Sequence, residues 1–221
     1  IKIMKNIIVI NLDRAEERRE YITNQLDNQN LEYYLYSAFD GQNITNPTFQ
    51  LPKISLKGKY RYGDNFLIGE IACTLSHIGA ISMAKSLGLE YVIILEDDVE
   101  ICLDFSDRLE YLFKIIPKNW EHIFLGGHIY QFNPIIMPSL HKSPKVSCTY
   151  SYILRKNVYD KAIKFLSSLE TTTDDLYEYM KLNSYIFFPL FTYSIKTYSY
   201  INNEMANENP SKRFFKKYLK S

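Results

Sequence analysis

Apolar and polar positions fall in blocks along this chain, and the blocks predict strands and helices taking turns. Asn6 to Ile10 reads as an apolar strand ending at Asn11-Leu12-Asp13-Arg14. Asp13 followed by Glu16 resembles a capping box for a helix running to about Asn28, in which Ile22 and Leu26 form a turn-spaced apolar pair. Residues 31 to 39 read as a second strand closed by the turn signal Asp40-Gly41. From Gln42 to Asn65 neither period is present, so a long loop is expected, a lid over a substrate or a segment without function. Leu67 to Leu87 reads as a helix with Ile71, Leu75, Ile78 and Ser82 on one face and Glu70, Cys73 and His77 on another.

Tyr91 to Leu95 is an uninterrupted apolar run, the mark of a strand buried on both faces. It ends in three carboxylates, Glu96, Asp97 and Asp98. Phe105 to Ile116 predicts a helix stopped by Pro117, and His122 to Leu125 a strand ended by Gly126-Gly127. Residues 129 to 145 read as irregular, Cys148 to Leu154 as a strand and Val158 to Leu169 as a helix. Thr171 to Asp175 then reads as a helix start carrying the acidic pair Asp174 and Asp175. Strands alternating with helices imply an α/β fold on a mostly parallel sheet with right-handed crossovers.

Ligands of such sheets sit at the C-terminal ends of the strands, which draws attention to the acidic triplet. If the chain stays extended, Glu96 and Asp98 point to one side and Asp97 to the other. Three adjacent anions need a cation, basic neighbours or open water, so the triplet reads either as a seat for Mg²⁺ or Mn²⁺ or as a solvated turn. Arg14 and Arg18, four residues apart at the start of a helix, suit a diphosphate, or else pair with Glu16, Glu17 or Glu20. Cys73 and His77 have the i,i+4 spacing of two zinc ligands but no second pair nearby, and a buried, hydrogen-bonded histidine is the commoner finding.

Composition adds little constraint. Of 221 residues, 46% are hydrophobic and 23% charged, and the net charge of +1 gives no general reason to bind nucleic acid or a membrane. The three cysteines lack a CxxC spacing, which argues against a disulfide framework and for a reducing compartment. No segment reaches the length of a membrane span, and the opening residues turn polar too soon for a signal peptide. A single domain over 1–204 is expected, followed by a basic, aromatic tail, 205–221. There KRFFKKYLK at 212–220 suits peripheral contact with anionic lipid or else a frayed terminus.

INLDRAEERRE at 10–20, IGEIACTLSHIGA at 68–80, VIILEDDVEI at 92–101, SYILRKNVYDKAIKFL at 151–166 and TDDLY at 173–177 occur in this order. Together they resemble glycosyltransferase family 25, the group of bacterial lipopolysaccharide and lipooligosaccharide galactosyltransferases that also contains the collagen galactosyltransferases. The resemblance implies a GT-A type nucleotide-sugar-binding sandwich. It also implies an inverting transfer of a hexose, usually galactose, from a UDP-sugar to a lipid-linked oligosaccharide, with Mn²⁺ or Mg²⁺. Asp98 is then the metal ligand, and Glu96 or Asp97 touches the ribose or a metal-bound water, Glu96 being the second ligand candidate. Asn11, Asp13, Arg14 and Arg18 fall near the donor, as do Glu70, Ser76 and His77. The acceptor proton needs a carboxylate base, Asp175 or Asp174, with Asp175 preferred because Asp174 is the better helix cap.

The family's Ser-Asp-Ile is Ser199-Tyr200-Ile201 here, and no histidine follows His141; Asn202, Asn203 or Glu204 are the candidates for a third ligand, or water completes the shell. The implied location is cytoplasmic, with peripheral contact at the inner face of the inner membrane. A non-catalytic nucleotide-sugar or glycan binder is the competing reading. An aspartyl phosphatase is disfavoured because Glu96 stands where its nucleophilic Asp would be.

Overall fold

The computed structural model describes residues 5–44, 68–131, 139–142, 145–148, 150–169, 173–195, 198–199 and 204–205. Chain order runs β1 (Ile7–Asn11), α1 (Glu16–Asn28), β2 (Tyr33–Ser37), α2 (Gly41–Ile44), α3 (Ile68–Ser86), β3 (Tyr91–Glu96), β4 (Val99–Ile101) and α4 (Phe105–Ile115). It continues with β5 (His122–Phe124), β6 (His128–Gln131), β7 (Ser139–Lys142), β8 (Lys145–Ser147), β9 (Ser151–Arg155) and α5 (Tyr159–Leu166). Last come α6 (Leu176–Tyr179), β10 (Ser184–Phe188), β11 (Thr192–Ser194), β12 (Tyr198–Ser199) and β13 (Glu204–Met205).

One seven-stranded sheet, ordered β2-β1-β3-β9-β5-β10-β7, organises the chain. β1 runs parallel to β2 and β3, and β10 parallel to β5. β9 lies antiparallel between β3 and β5, and β7 is antiparallel at the β10 edge. Hence β2, β1, β3, β5 and β10 point one way, and the expected mostly parallel α/β sandwich is what forms. β9 and β7 are its antiparallel members. Buried on both faces, β9 shows the same unbroken apolar run as a parallel strand, so its pattern does not disclose its direction.

The apolar runs feed two cores, one on each face. Ile8, Ile10, Val92 and Ile94 pack with Ala80, Ile81 and Ala84 of α3 and with Ala162 and Leu166 of α5. Ile7, Val9, Ile93 and Leu95 pack with Ile22 and Leu26 of α1 and with Leu109 and Leu112 of α4. The sheet-facing stripe of α3 therefore runs through His77, Ala80, Ile81 and Ala84. It does not run through Leu75, Ile78 and Ser82, because small residues let α3 lie close to the sheet and the larger ones flank it.

Two local readings need correction. No side chain caps α1, which starts after Ala15; Asp13 instead accepts a bond from Ser37 Oγ at 2.7 Å. Three short strands occupy the stretch read as irregular, each too brief to show a period. Asp174 sits in a 3-10 turn, Thr173–Asp175, and its Oδ2 accepts from the Cys148 backbone N–H at 2.9 Å. The long loop, apart from its start in α2, and the basic tail lie outside the described residues. No helix among the described residues is long and apolar enough to cross a membrane.

Two folding predictions arise here. A Cβ on buried Gly126, just past β5, meets Thr192 Oγ1, Tyr150 and Ser151 Oγ. Gly126→Ala is expected to cost about 1–3 kcal/mol through overpacking, read by urea denaturation. His122, 2% exposed on β5 and packed on Phe124 and Tyr152, is pushed down to about 3 by burial. The unfolded chain takes up a proton near pH 6.5 that the folded chain refuses, so this contribution is complete above that pH and is lost as pH falls toward about 3. The loss reaches about 3 kcal/mol by about pH 4.5. A His122→Gln variant should show a flatter acid limb in pH-dependent denaturation.

Candidate active site at the ends of β1 and β3

From β1 the chain passes through α1 on one face to β2 and returns through α3 on the other face to β3, so the strand order switches between β1 and β3, where a ligand crevice is expected at their C-terminal ends. Register pairs Ile10 with Glu96, which brings Asn11 and Asp97 side by side. Asn11 Nδ2, buried, donates to Asp97 Oδ2 at 2.6 Å and to the Ala15 carbonyl at 3.2 Å, joining the acidic turn to the start of α1. Arg18, in the first turn of α1, forms an ion pair with Asp97 Oδ1 and reaches Asp98 Oδ2 at 3.3 Å.

Alternation along β3 holds for two of the three acids and fails at the third. Glu96 faces α3, where its Oε1 lies 3.3 Å from His77 Nε2, and Asp97 faces α1. Asp98 turns to Arg18 as well, because β3 ends at Glu96 and residues 97–98 form a tight turn into β4. That turn is backed by β11, whose following residue, Ile195, donates its N–H to the Asp98 carbonyl at 2.9 Å. Both Asp97 oxygens are engaged by Asn11 and Arg18, whereas Asp98 Oδ1 is buried and meets no hydrogen-bond donor among the described residues. Burial pushes the Asp98 carboxyl up to about 7; Arg18 opposes the rise, and Glu96 and Asp97 add to it. Asp97 is also raised by burial, against the pull of Arg18 and Asn11. A buried, unsatisfied carboxylate oxygen beside two more acids fits a hard divalent cation, so the residues present suit Mg²⁺ or Mn²⁺.

The other expected site residues divide into two groups. Arg14 pairs with Asp40 at 2.6 Å, beyond β2, and holds that carboxyl below its usual range; Glu16 lies 3.9 Å from Arg19. Ser76 is buried, donates to the Ala72 carbonyl at 2.7 Å and accepts from the Phe39 N–H at 2.9 Å, tying α3 to the chain after β2. His77 lies 1% exposed on α3, its Nδ1 3.0 Å from the Tyr152 hydroxyl. Cys73, one turn before it, collects the other acids: burial pushes its thiol well up, and the charges of Glu96, Asp174, Asp98 and Glu70 push it further. Thus α3, the acidic turn and the 3-10 turn converge on one place, with Glu70 and Asp174 beside it. The Asp175 side chain, Asn202 and Asn203 lie outside the described residues, as does the Glu204 side chain.

Tyr152 is the residue that sequence reasoning missed. It sits in β9, fully buried, stacked on His77 with 5.7 Å between ring centres. Its position in an apolar strand gave only a core signal, and the link to His77 depends on β9 pairing with β3.

The sequence profile described as glycosyltransferase family 25 (LPS biosynthesis protein) matches residues 4–209. Procollagen galactosyltransferase 2 of Mus musculus is 32% identical over 126 residues, 54% of this chain and 20% of that protein. The inactive glycosyltransferase 25 family member 3 of Mus musculus is 30% identical over 134 residues, 58% of this chain and 22% of that protein. The chain thus spans about a fifth of the length of these curated relatives. Among solved structures, a glycosyltransferase involved in the glycosylation of the major capsid of PBCV-1 is similar with a TM-score of 0.44 and 12% identity, covering 81% of this chain and 80% of that one. With the family profile matched over nearly all its residues, this chain belongs to glycosyltransferase family 25.

Proposed function

We propose that the chain is an inverting glycosyltransferase that moves a hexose, galactose first among the candidates, from a UDP-sugar to a lipooligosaccharide or lipopolysaccharide acceptor. The observation that carries this reading is the unsatisfied Asp98 oxygen beside Arg18 at the switch point of the sheet. Asp98 would hold Mn²⁺ or Mg²⁺, while Glu96, the second ligand candidate, faces His77 on α3. When bound, that cation supplies charge neutralisation to the departing diphosphate. Arg18 lies where it can face the same phosphates, and Asn11 and Asp97 fix its direction. Asp13, Arg14, Glu70, Ser76 and His77 complete the donor side of the crevice, with Ser76 and His77 acting through the segments they hold.

In the reaction the acceptor oxygen attacks the anomeric carbon as the bond to UDP breaks, the electron pair leaving on the β-phosphate oxygen. The acceptor's proton goes to a carboxylate. Asp174 is the first candidate here and Asp175 the second, because the Asp174 charge acts on Cys73 inside the site. Asp174→Asn is expected to lower turnover by about 10²–10⁴-fold. Wild-type turnover there, with loss in Asp175→Asn, reverses the assignment. The basic tail remains the proposed contact with the membrane face where a lipid-linked acceptor resides.

UDP release from UDP-galactose, UDP-glucose and their N-acetylated analogues, with Mn²⁺ or EDTA and an oligosaccharide acceptor, tests the reading. Metal-dependent release with one donor establishes it and names the sugar. The relative named inactive favours one competitor, a binder without turnover. Stabilisation by UDP with no release from any donor selects that competitor.

A further inference from the structure

The i,i+4 pair Cys73 and His77 lacked a partner in the sequence, and the fold provides one. Among the described residues, one ligand atom from each of Cys73, His77 and Glu96 lies within 4.8 Å of the other two. His77 is buried, while Cys73 and Glu96 are half-buried, so the cluster is walled by α3 and β3 and open on one side. We propose that Cys73, His77 and Glu96 bind a thiophilic divalent cation, zinc above all, at a site separate from the hard-cation seat at Asp98.

Three features support it. Sulfur, imidazole nitrogen and one carboxylate oxygen make a donor set that favours zinc over magnesium, and three protein ligands leave a fourth position open. His77 Nε2 already points at Glu96, and Nδ1 faces the Tyr152 hydroxyl, the outer partner that fixes a metal-bound imidazole. The hydroxyl donates to Nδ1 when Nε2–H faces Glu96, and accepts from Nδ1–H when Nε2 carries the ion, so one contact serves both tautomers. Four carboxylates, Glu96, Asp174, Asp98 and Glu70, act on Cys73, and a cation there would offset their charge as the thiol proton leaves to solvent.

Co²⁺ titration of the metal-free chain, in a Cys102→Ser/Cys148→Ser background, tests the site without any donor sugar. Its outcome is therefore independent of whether the transferase reading survives. A near-ultraviolet thiolate-to-cobalt band saturating at one equivalent is expected, absent in Cys73→Ser and retained in Asp98→Asn. Tyr152→Phe should weaken binding about 10–100-fold, and about a hundredfold excess of Mg²⁺ should leave the band in place. The proposal is overturned by the lack of a band, by its survival in Cys73→Ser, by its loss in Asp98→Asn, or by its displacement by Mg²⁺.

Discussion

Metal-dependent UDP release is expected to fall about a thousandfold in Asp98→Asn, while the fold keeps or gains stability. The first half follows from the loss of the buried Asp98 oxygen that meets no hydrogen-bond donor among the described residues: charge stabilisation of a leaving diphosphate is worth several kcal/mol, and about 4 kcal/mol is a factor near 10³. The second half follows from burial. A carboxyl pushed up to about 7 is an uncomfortable anion in the folded chain, and an uncharged amide of the same shape removes the repulsion from Glu96 and Asp97. Opposite signs for turnover and stability mark a residue kept for chemistry. Equal loss of both in thermal melts and UDP-release assays would recast Asp98 as structural.

Arg18→Ala is expected to destabilise the chain by about 3–5 kcal/mol, the cost of leaving a buried carboxylate without its partner. Asp97 is 4% exposed and has Asn11 and Arg18 as its compensation, so removing Arg18 strands a charge that α1 otherwise covers. Adding Asp97→Asn should recover much of the loss, since it takes away the charge rather than the contact. Urea denaturation of the two single variants and the double variant measures the coupling; additive losses would mean that the pair is incidental. Because Arg18 also faces Asp98, the single variant should weaken donor binding too, and the double variant should regain stability without regaining activity.

The sheet, its helices and the acidic strand end were legible because each rests on a local signal: unbroken apolar runs for β1 and β3, and a turn-spaced apolar pair for α1. The division of labour among the acids was half legible. Strand alternation separates Glu96 from Asp97, but Asp98 belongs to a turn whose shape is set by β11, almost a hundred residues later. Arg18 showed as an anion-facing residue, yet whether it meets a glutamate of its own helix or Asp97 depends on the register of β1 against β3. Tyr152 and the antiparallel course of β9 were invisible for one reason: direction and partners of a fully buried strand are fixed by tertiary packing, and its side chains read the same either way.

β3 and β5 become neighbours only through β9, which pairs with Val92 and His122 at the same residue, Leu154. During synthesis the first half of the chain therefore emerges as a partial sheet with an open edge along β3. His77 waits for Tyr152 until a segment made some seventy-five residues later slots in. The partner of a buried imidazole thus arrives only when β9 does, and the candidate site is complete no earlier than the sheet itself.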